Sequence, residues 1–405
     1  MIRKEILKEI IKSQKDWILS LQQGVVREDE VILSPSFALV ISGIRRCGKS
    51  TFLSQILKKQ KKWYYLNLED PKLTGFELSD FERVKDLFEE IYGKGGTYFF
   101  DEIQNIAGWE KFIRNLVDKK NQVVITGSNA SLLSRELGTK LTGRYRRIEL
   151  FPFSFREFLK FSGIPESLNS YERFLTKGGF PEFLKEENEE DLHELLNDVI
   201  MRDIAVRFGI KNTQLLKKLA IYLLTNVGKE FSYNSLKNNF EVKSVQSVID
   251  YLSYFEDAYL LFYVPRFSYS YKQQQVNPKK VYSIDNGFSY ANSVSFSKDK
   301  GKMLENQVFL ELRRRYKDIF YYQDDGECDF ILKEKEKIVQ AIQVCYDFND
   351  ENQEREINGL IKSLNNFKLD EGIILTFNQE DTFEIEGKKI NVLPVWKWMI
   401  KNIKK

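Results

Sequence analysis

Phe37-Ala38-Leu39-Val40-Ile41-Ser42-Gly43-Ile44-Arg45-Arg46-Cys47-Gly48-Lys49-Ser50-Thr51 decides the fold. The run Phe37–Ser42 is apolar and β-prone, and a helical pattern runs from Lys49 to about Lys59. Between them, Gly43 to Ser50 fits G-x-x-x-x-G-K-[ST] at every defined position, in the strand–turn–helix setting that gives the motif its meaning. The glycines let backbone N–H groups wrap phosphate oxygens, and the helix N-terminus adds the positive end of its dipole. Gly43, Ile44, Arg45, Arg46, Cys47, Gly48, Lys49, Ser50 and Thr51 are therefore the expected nucleotide-binding stretch. Lys49 is expected to bridge the β- and γ-phosphates and the Ser50 hydroxyl to ligate Mg²⁺, which makes ATP and Mg²⁺ the expected cofactors.

Outward from this loop, β-rich runs at Trp63–Asn67, Thr97–Phe100, Gln122–Thr126 and Tyr145–Leu150 alternate with amphipathic stretches near Asp80–Ile91 and Trp109–Val117. Such alternation predicts an α/β fold with a mostly parallel sheet covered on both faces. A P-loop needs a second carboxylate at the end of a neighbouring strand, and Tyr98-Phe99-Phe100-Asp101-Glu102 supplies two. Asp101 is expected on the metal side, and Glu102 is placed to polarise the attacking water. Ser128 and Asn129, after the strand Val123–Thr126, are candidates to touch the γ-phosphate or the water. Arg144, in Leu141-Thr142-Gly143-Arg144, reads equally as a cationic finger, which acting in trans would require a homo-oligomer, and as a surface arginine.

The rest of the 405-residue composition narrows the chemistry. His193 is the single histidine, so a His-rich zinc site or a serine or cysteine protease centre has almost nothing to work with. Inside the acidic run Glu186–Glu194, it reads as an exposed helical residue. Cys47, Cys328 and Cys345 are too scattered for a disulfide framework, which fits a reducing cytoplasmic setting. No stretch approaches the roughly 18 apolar residues of a membrane span, and the opening MIRKEILKEIIKSQKDWILSL reads as an amphipathic helix. The net charge of +3 is too small to prove a nucleic-acid partner, and it leaves room for a local basic face.

Taken together, GIRRCGKST, YFFDEIQNI, ITGSNASLLS, LTGRYRRIELFPFSFREF and GGFPEFL resemble a family of bacterial and archaeal AAA-type (STAND-like) P-loop ATPases. The resemblance covers about Phe37–Asp203 and continues through NPKKVYSIDNGF and MLENQVFLELRRR. It implies ATP hydrolysis, a winged-helix region and a C-terminal nuclease-like domain. It also gives Lys49, Ser50, Asp101 and Glu102 the roles argued above and matches Arg144 to the family's arginine after the glycine.

Three domains are expected: residues 1–190 as the P-loop ATPase with its N-terminal helix, 191–270 as a helical and winged-helix region, and 271–405 as a nuclease-like domain. Helices at Asn212–Thr225, Ser232–Asn239 and Ser244–Phe255, followed by the aromatic strand Ala258–Val264, give the winged helix-turn-helix order. The third helix carries no Lys or Arg, so DNA binding and protein docking stand level as its use. The aromatic stretch Phe267–Lys272 suits base stacking, although packing is the commoner use of such residues. In the last region Glu305 on a helix, Asp329 at a strand start and Gln343 on the next strand outline a PD-(D/E)XK site. Cys345 stands where a lysine belongs and Gln343 where an acid belongs, so the site reads as degenerate. The expected function is Mg²⁺-dependent ATP hydrolysis coupled to a nucleic-acid-associated or regulatory task. The alternatives are a nucleotide-gated switch or scaffold that binds protein, and an ATP-regulated metal-dependent nuclease.

Overall fold

A computed structural model describes residues 2–128, 143–295, 299–324 and 326–401. Asn129 and the rest of ITGSNASLLS after Ser128, together with Leu141 and Thr142 of LTGRYRR, lie outside the described residues. The chain divides into two units, Met1–Phe151 with Asp257–Tyr259, and Pro152–Glu256 with Leu260–Lys405.

In the first unit β1 (Ala38–Ser42), β2 (Trp63–Asn67), β3 (Thr97–Asp101), β4 (Val123–Gly127) and β5 (Tyr145–Glu149) form one sheet in the order β2-β3-β4-β1-β5. Every pairing is parallel. All residues of β1, β3 and β4 are buried, as expected for inner strands covered on both faces. The helices supply that cover through apolar stripes. Lys4–Ser20 buries Leu7, Ile10, Ile11, Gln14 and Ile18, three- and four-residue steps that keep one face on the core. Leu78–Tyr92 starts at a capping box in which Glu77 and Asp80 satisfy each other's backbone N–H groups. Its Phe81 stacks on Phe112 at 4.6 Å and meets Phe100 edge-on at 5.7 Å. Parallel order brings the strand ends Ser42, Asp101 and Gly127 to one edge of the sheet, where open α/β sheets bind ligands.

The second unit holds two further sheets. Strands β6 (Glu230–Phe231), β7 (Leu261–Pro265) and β8 (Lys279–Ser283) pair antiparallel in the order β6-β8-β7, with helices Thr213–Thr225, Tyr233–Asn239 and Val245–Asp257 interleaved in the chain. A six-stranded mixed sheet, ordered β13-β14-β12-β11-β10-β9, contains β9 (Asp318–Gln323), β10 (Glu327–Glu334), β11 (Lys337–Cys345), β12 (Glu371–Thr376), β13 (Asp381–Ile385) and β14 (Lys388–Pro394). The chain is thus α/β throughout. His193 is half-buried rather than exposed, because its ring meets Asn292 at 3.2 Å. No helix among the described residues is long and apolar enough to cross a membrane.

Two motifs that are distant in sequence meet in this unit. Asp285 of SIDNGF accepts hydrogen bonds from the N–H groups of Gly179 (2.6 Å) and Phe288 (2.9 Å). A Cβ on Gly178, whose φ is +74°, would lie 2.0 Å from the Asp285 carboxylate. The paired glycines of GGF are therefore required by close approach.

Candidate functional site: two lysine–carboxylate centres

The loop after β1 folds as its glycines allow. Gly48 has φ +97° and caps helix Lys49–Leu57, and a Cβ on Gly43 would lie 2.2 Å from the Leu150 carbonyl oxygen. Cys47 is fully buried in the loop, and that burial pushes its thiol above the ordinary range, against the opposing pull of Lys49 and Arg27. The Arg27 guanidinium donates to the carbonyls of Cys47 (3.0 Å) and Phe151 (2.5 Å), tying the loop to the chain beyond β5. Tyr259 reaches the other end of the loop, its hydroxyl 2.7 Å from the Ser42 hydroxyl and within hydrogen-bond reach of Arg147 and Glu149.

Lys49 points into the loop. Its ammonium donates to the carbonyls of Gly43 (3.1 Å) and Ile44 (3.2 Å) and lies 3.4 Å from Glu102 Oε1. Asp101, at the end of β3, is fully buried and accepts from the hydroxyls of Thr126 and Tyr65, the latter at 3.0 Å. Burial, and then the neighbouring Glu102, push the Asp101 carboxyl above its usual range, while hydrogen bonds from Thr126 and Ser50 oppose the shift. The Ser50 hydroxyl and the Asp101 carboxylate are thus hard oxygen donors side by side, a set that fits a divalent cation. Burial alone would raise the Glu102 carboxyl too, but Lys49 and the Gln104 amide outweigh it and hold that group below its ordinary value. The Glu102 backbone takes φ +51°, and its N–H donates to Thr126 Oγ1 at 2.9 Å.

Lys49, Ser50, Asp101 and Glu102 therefore converge, and Ser128 joins them through Gln104, whose amide nitrogen is 3.4 Å from its hydroxyl. Arg144 does not. It precedes β5 at the N-terminal edge of the sheet, beside Ala38, and pairs with Asp118. Thr126, Tyr65, Gln104, Arg27 and Tyr259 were not foreseen. Only Thr126 carries a readable signal, a hydroxyl at the end of the strand beside β3.

The candidates of the last region also come together, around an unforeseen residue. Lys280 on β8 donates to Asp329 Oδ1 at 2.8 Å and to Glu305 Oε1 at 3.2 Å, and the Tyr282 hydroxyl donates to the same Glu305 oxygen at 2.7 Å. Burial, then Asp329, push Glu305 up to about 7. Burial would depress the Lys280 ammonium, yet Asp329 and Glu305 outweigh it and raise it. Gln343 is committed elsewhere, accepting from the Asp329 N–H at 3.1 Å and donating to Glu356 at 2.7 Å. Cys345 belongs to the apolar cluster that includes Ile357 and Leu360. A cleft of about 730 Å³ adjoins the triad, lined among others by Lys302, Glu327, Arg355 and Glu356. Among the described residues no group of three His, Cys, Asp or Glu side chains is placed to hold a metal ion. With an ammonium on both carboxylates and Gln343 engaged, these residues do not fit the metal that the nuclease outline calls for.

Residues 36–159 match a family described as an AAA domain, and residues 168–298 and 300–398 match two families described as domains of unknown function (DUF8612 and DUF4143). An uncharacterized protein of Methanocaldococcus jannaschii is 36% identical over 99% of this chain and 96% of its own length. An uncharacterized protein of Haemophilus influenzae is 31% identical over 90% of this chain and 94% of its own. Among solved structures, a DNA polymerase III gamma subunit-related protein of Thermotoga maritima is similar at 14% identity over 76% of this chain and all of that one, with a TM-score of 0.25, a likeness too slight to bear on the fold. The chain belongs to the same family as the Methanocaldococcus jannaschii and Haemophilus influenzae proteins, and its residues 36–159 form an AAA-type P-loop domain.

Proposed function

We propose that the chain is a Mg²⁺-dependent ATPase whose first unit binds and hydrolyses ATP. The convergence of Lys49, Ser50, Asp101 and Glu102 at one sheet edge carries this reading. Backbone N–H groups of Gly43–Thr51 hold phosphate oxygens, and Lys49 exchanges its carbonyl partners for the β- and γ-phosphates. Ser50 and Asp101 would hold Mg²⁺, which neutralises developing phosphate charge when bound. Glu102 accepts the proton of the attacking water, and Ser128 stands beside it. Arg144 serves this centre only from a second copy of the chain.

The task that turnover drives is nucleic-acid-associated. The order helix, β6, helix, helix, β7, β8, with the short helix Tyr271–Val276 inserted between β7 and β8, supports a winged helix in residues 213–283, and Tyr269 and Tyr271 stand exposed after β7, where bases could stack. ATP turnover measured with and without single-stranded, duplex and branched DNA tests this. Stimulation that Lys49→Ala abolishes is the expected result, and turnover indifferent to every nucleic acid overturns the DNA task. A nucleotide-gated switch is the second reading, favoured by the Lys49–Glu102 pair, which the γ-phosphate must break on binding. Slow hydrolysis, with Glu102→Gln holding a stable ATP-bound state, is its expected signature. The proposed setting is cytoplasmic.

A further inference from the structure

Gln104 stands beside the groups that carry hydrolysis and has no part in the roles of Lys49, Ser50, Asp101 and Glu102. It follows the carboxylate pair on the short 3₁₀ turn Ile103–Asn105. Its amide nitrogen donates to Glu102 Oε2 at 2.5 Å and lies 3.4 Å from the Ser128 hydroxyl. The orientation of the amide is fixed by this contact, since turning it over would set an oxygen against a carboxylate. Its carbonyl oxygen is consequently aimed the other way, and among the described residues it is buried with no hydrogen-bond partner. A Cβ on Gly127, at the end of β4, would lie 2.7 Å from that oxygen, so the strand end has room for it only as glycine. A buried, unpaired carbonyl is destabilising and calls for a donor.

We propose that Gln104 orients the hydrolytic water. Its N–H holds the Glu102 carboxylate in place, and its Oε1 accepts one O–H of the water whose other proton passes to Glu102. Oxygen of that water forms the new bond to the γ-phosphorus as the bond from phosphorus to the β–γ bridging oxygen breaks, and ADP and phosphate leave. A lone carboxylate fixes one O–H direction, whereas a carboxylate and a carbonyl on one turn fix two and so aim the lone pair. This rests on the hydrolytic reading of the same centre.

The test uses the full chain and two phosphate analogues with ADP. Beryllium fluoride imitates the bound γ-phosphate before attack, and aluminium fluoride imitates in-line transfer with its water in place. Gln104→Leu removes both polar contacts and the unpaired oxygen; Glu102 loses one donor and keeps Lys49, and Gln104→Met serves as the second variant should Leu misfold. The expected result is a kcat about 100-fold lower with KM within about twofold. ADP–beryllium fluoride affinity is unchanged, and ADP–aluminium fluoride trapping falls in proportion to kcat. Equal loss of both complexes marks Gln104 as a structural residue and overturns the assignment, as does an unchanged kcat. A wild-type chain that binds ADP–beryllium fluoride yet neither traps aluminium fluoride nor hydrolyses ATP overturns the hydrolytic reading itself, and this assignment with it.

Discussion

Lys49 and Lys280 are both buried lysines beside carboxylates, but they are held in opposite ways. Lys49 rests on two backbone carbonyls and lies 3.4 Å from one carboxylate. Lys280 is clamped by two carboxylates at 2.8 and 3.2 Å. Carbonyl partners are surrendered cheaply when a phosphate arrives, while a doubly paired ammonium in a low-dielectric site leaves only at the cost of exposed charge. Asp101 meanwhile is balanced by hydroxyls, which can turn toward a cation, whereas Glu305 and Asp329 share a cation that is covalently part of the chain. The same residue types make an exchangeable site in one unit and a closed one in the other.

The largest stability effect should come from breaking the closed centre. Lys280→Met is expected to cost the second unit about 3–5 kcal/mol, because two buried carboxylates lose their partner. Faster hydrogen exchange of the β10 and β11 amides would report it, and adding Glu305→Gln and Asp329→Asn should restore most of the loss. A Lys280→Met chain as stable as the parent would erase the contrast.

Asp285 sharpens the comparison as a buried carboxylate met by backbone N–H donors, with the Arg314 charge acting on it from further off. Burial raises it from the usual 3.8 to about 6, although the N–H groups of Phe288, Gly179 and Gly287 pull the other way. The folded chain therefore binds more protons than the unfolded chain between about pH 4 and 6. Its contribution is most favourable below the unfolded value and weakens by about 3 kcal/mol as pH rises through 6. Urea unfolding of the second unit across this range should show that slope, and Asp285→Asn should flatten it.

The smallest stability effect belongs to Lys49. Lys49→Met should change the unfolding free energy of the first unit by about 1 kcal/mol, since Glu102 keeps Gln104 and the carbonyls are easily satisfied. Calorimetry of the nucleotide-free chain checks this, and a loss as large as that of Lys280→Met would mean that the first lysine is structural too.

What could be read beforehand follows from the range over which each feature is encoded. β2 lies at Trp63–Asn67 as expected and the other strands of the first sheet within about a residue, because strand, glycine loop and helix are written locally. The carboxylate pair was legible for the same reason. Tyr65 was not, since it acquires its role only when parallel pairing lays β2 beside β3, and Thr126 offered no more than a hydroxyl at a strand end until β4 paired with β3. Lys280 is the clearest case. In KQQQVNPKK it reads as part of a polar connection, yet Lys279 and Lys280 open a fully buried strand, because the acids that neutralise Lys280 lie 25 and 49 residues further along. The first half of the same polar stretch lies in the short helix Tyr271–Val276, which its glutamines do not announce.

Cys47, closed inside the phosphate loop, makes the folded chain chemically quiet toward thiol reagents. Cys328 and Cys345 are buried as well, and burial lifts their thiols to about 12 and about 11. Thiolate is the reactive form, so an alkylating reagent at neutral pH finds almost none until some part of the chain opens. Alkylation at Cys47 therefore acts as a clock for openings of the nucleotide loop, and the other two positions time the second unit from within the same molecule.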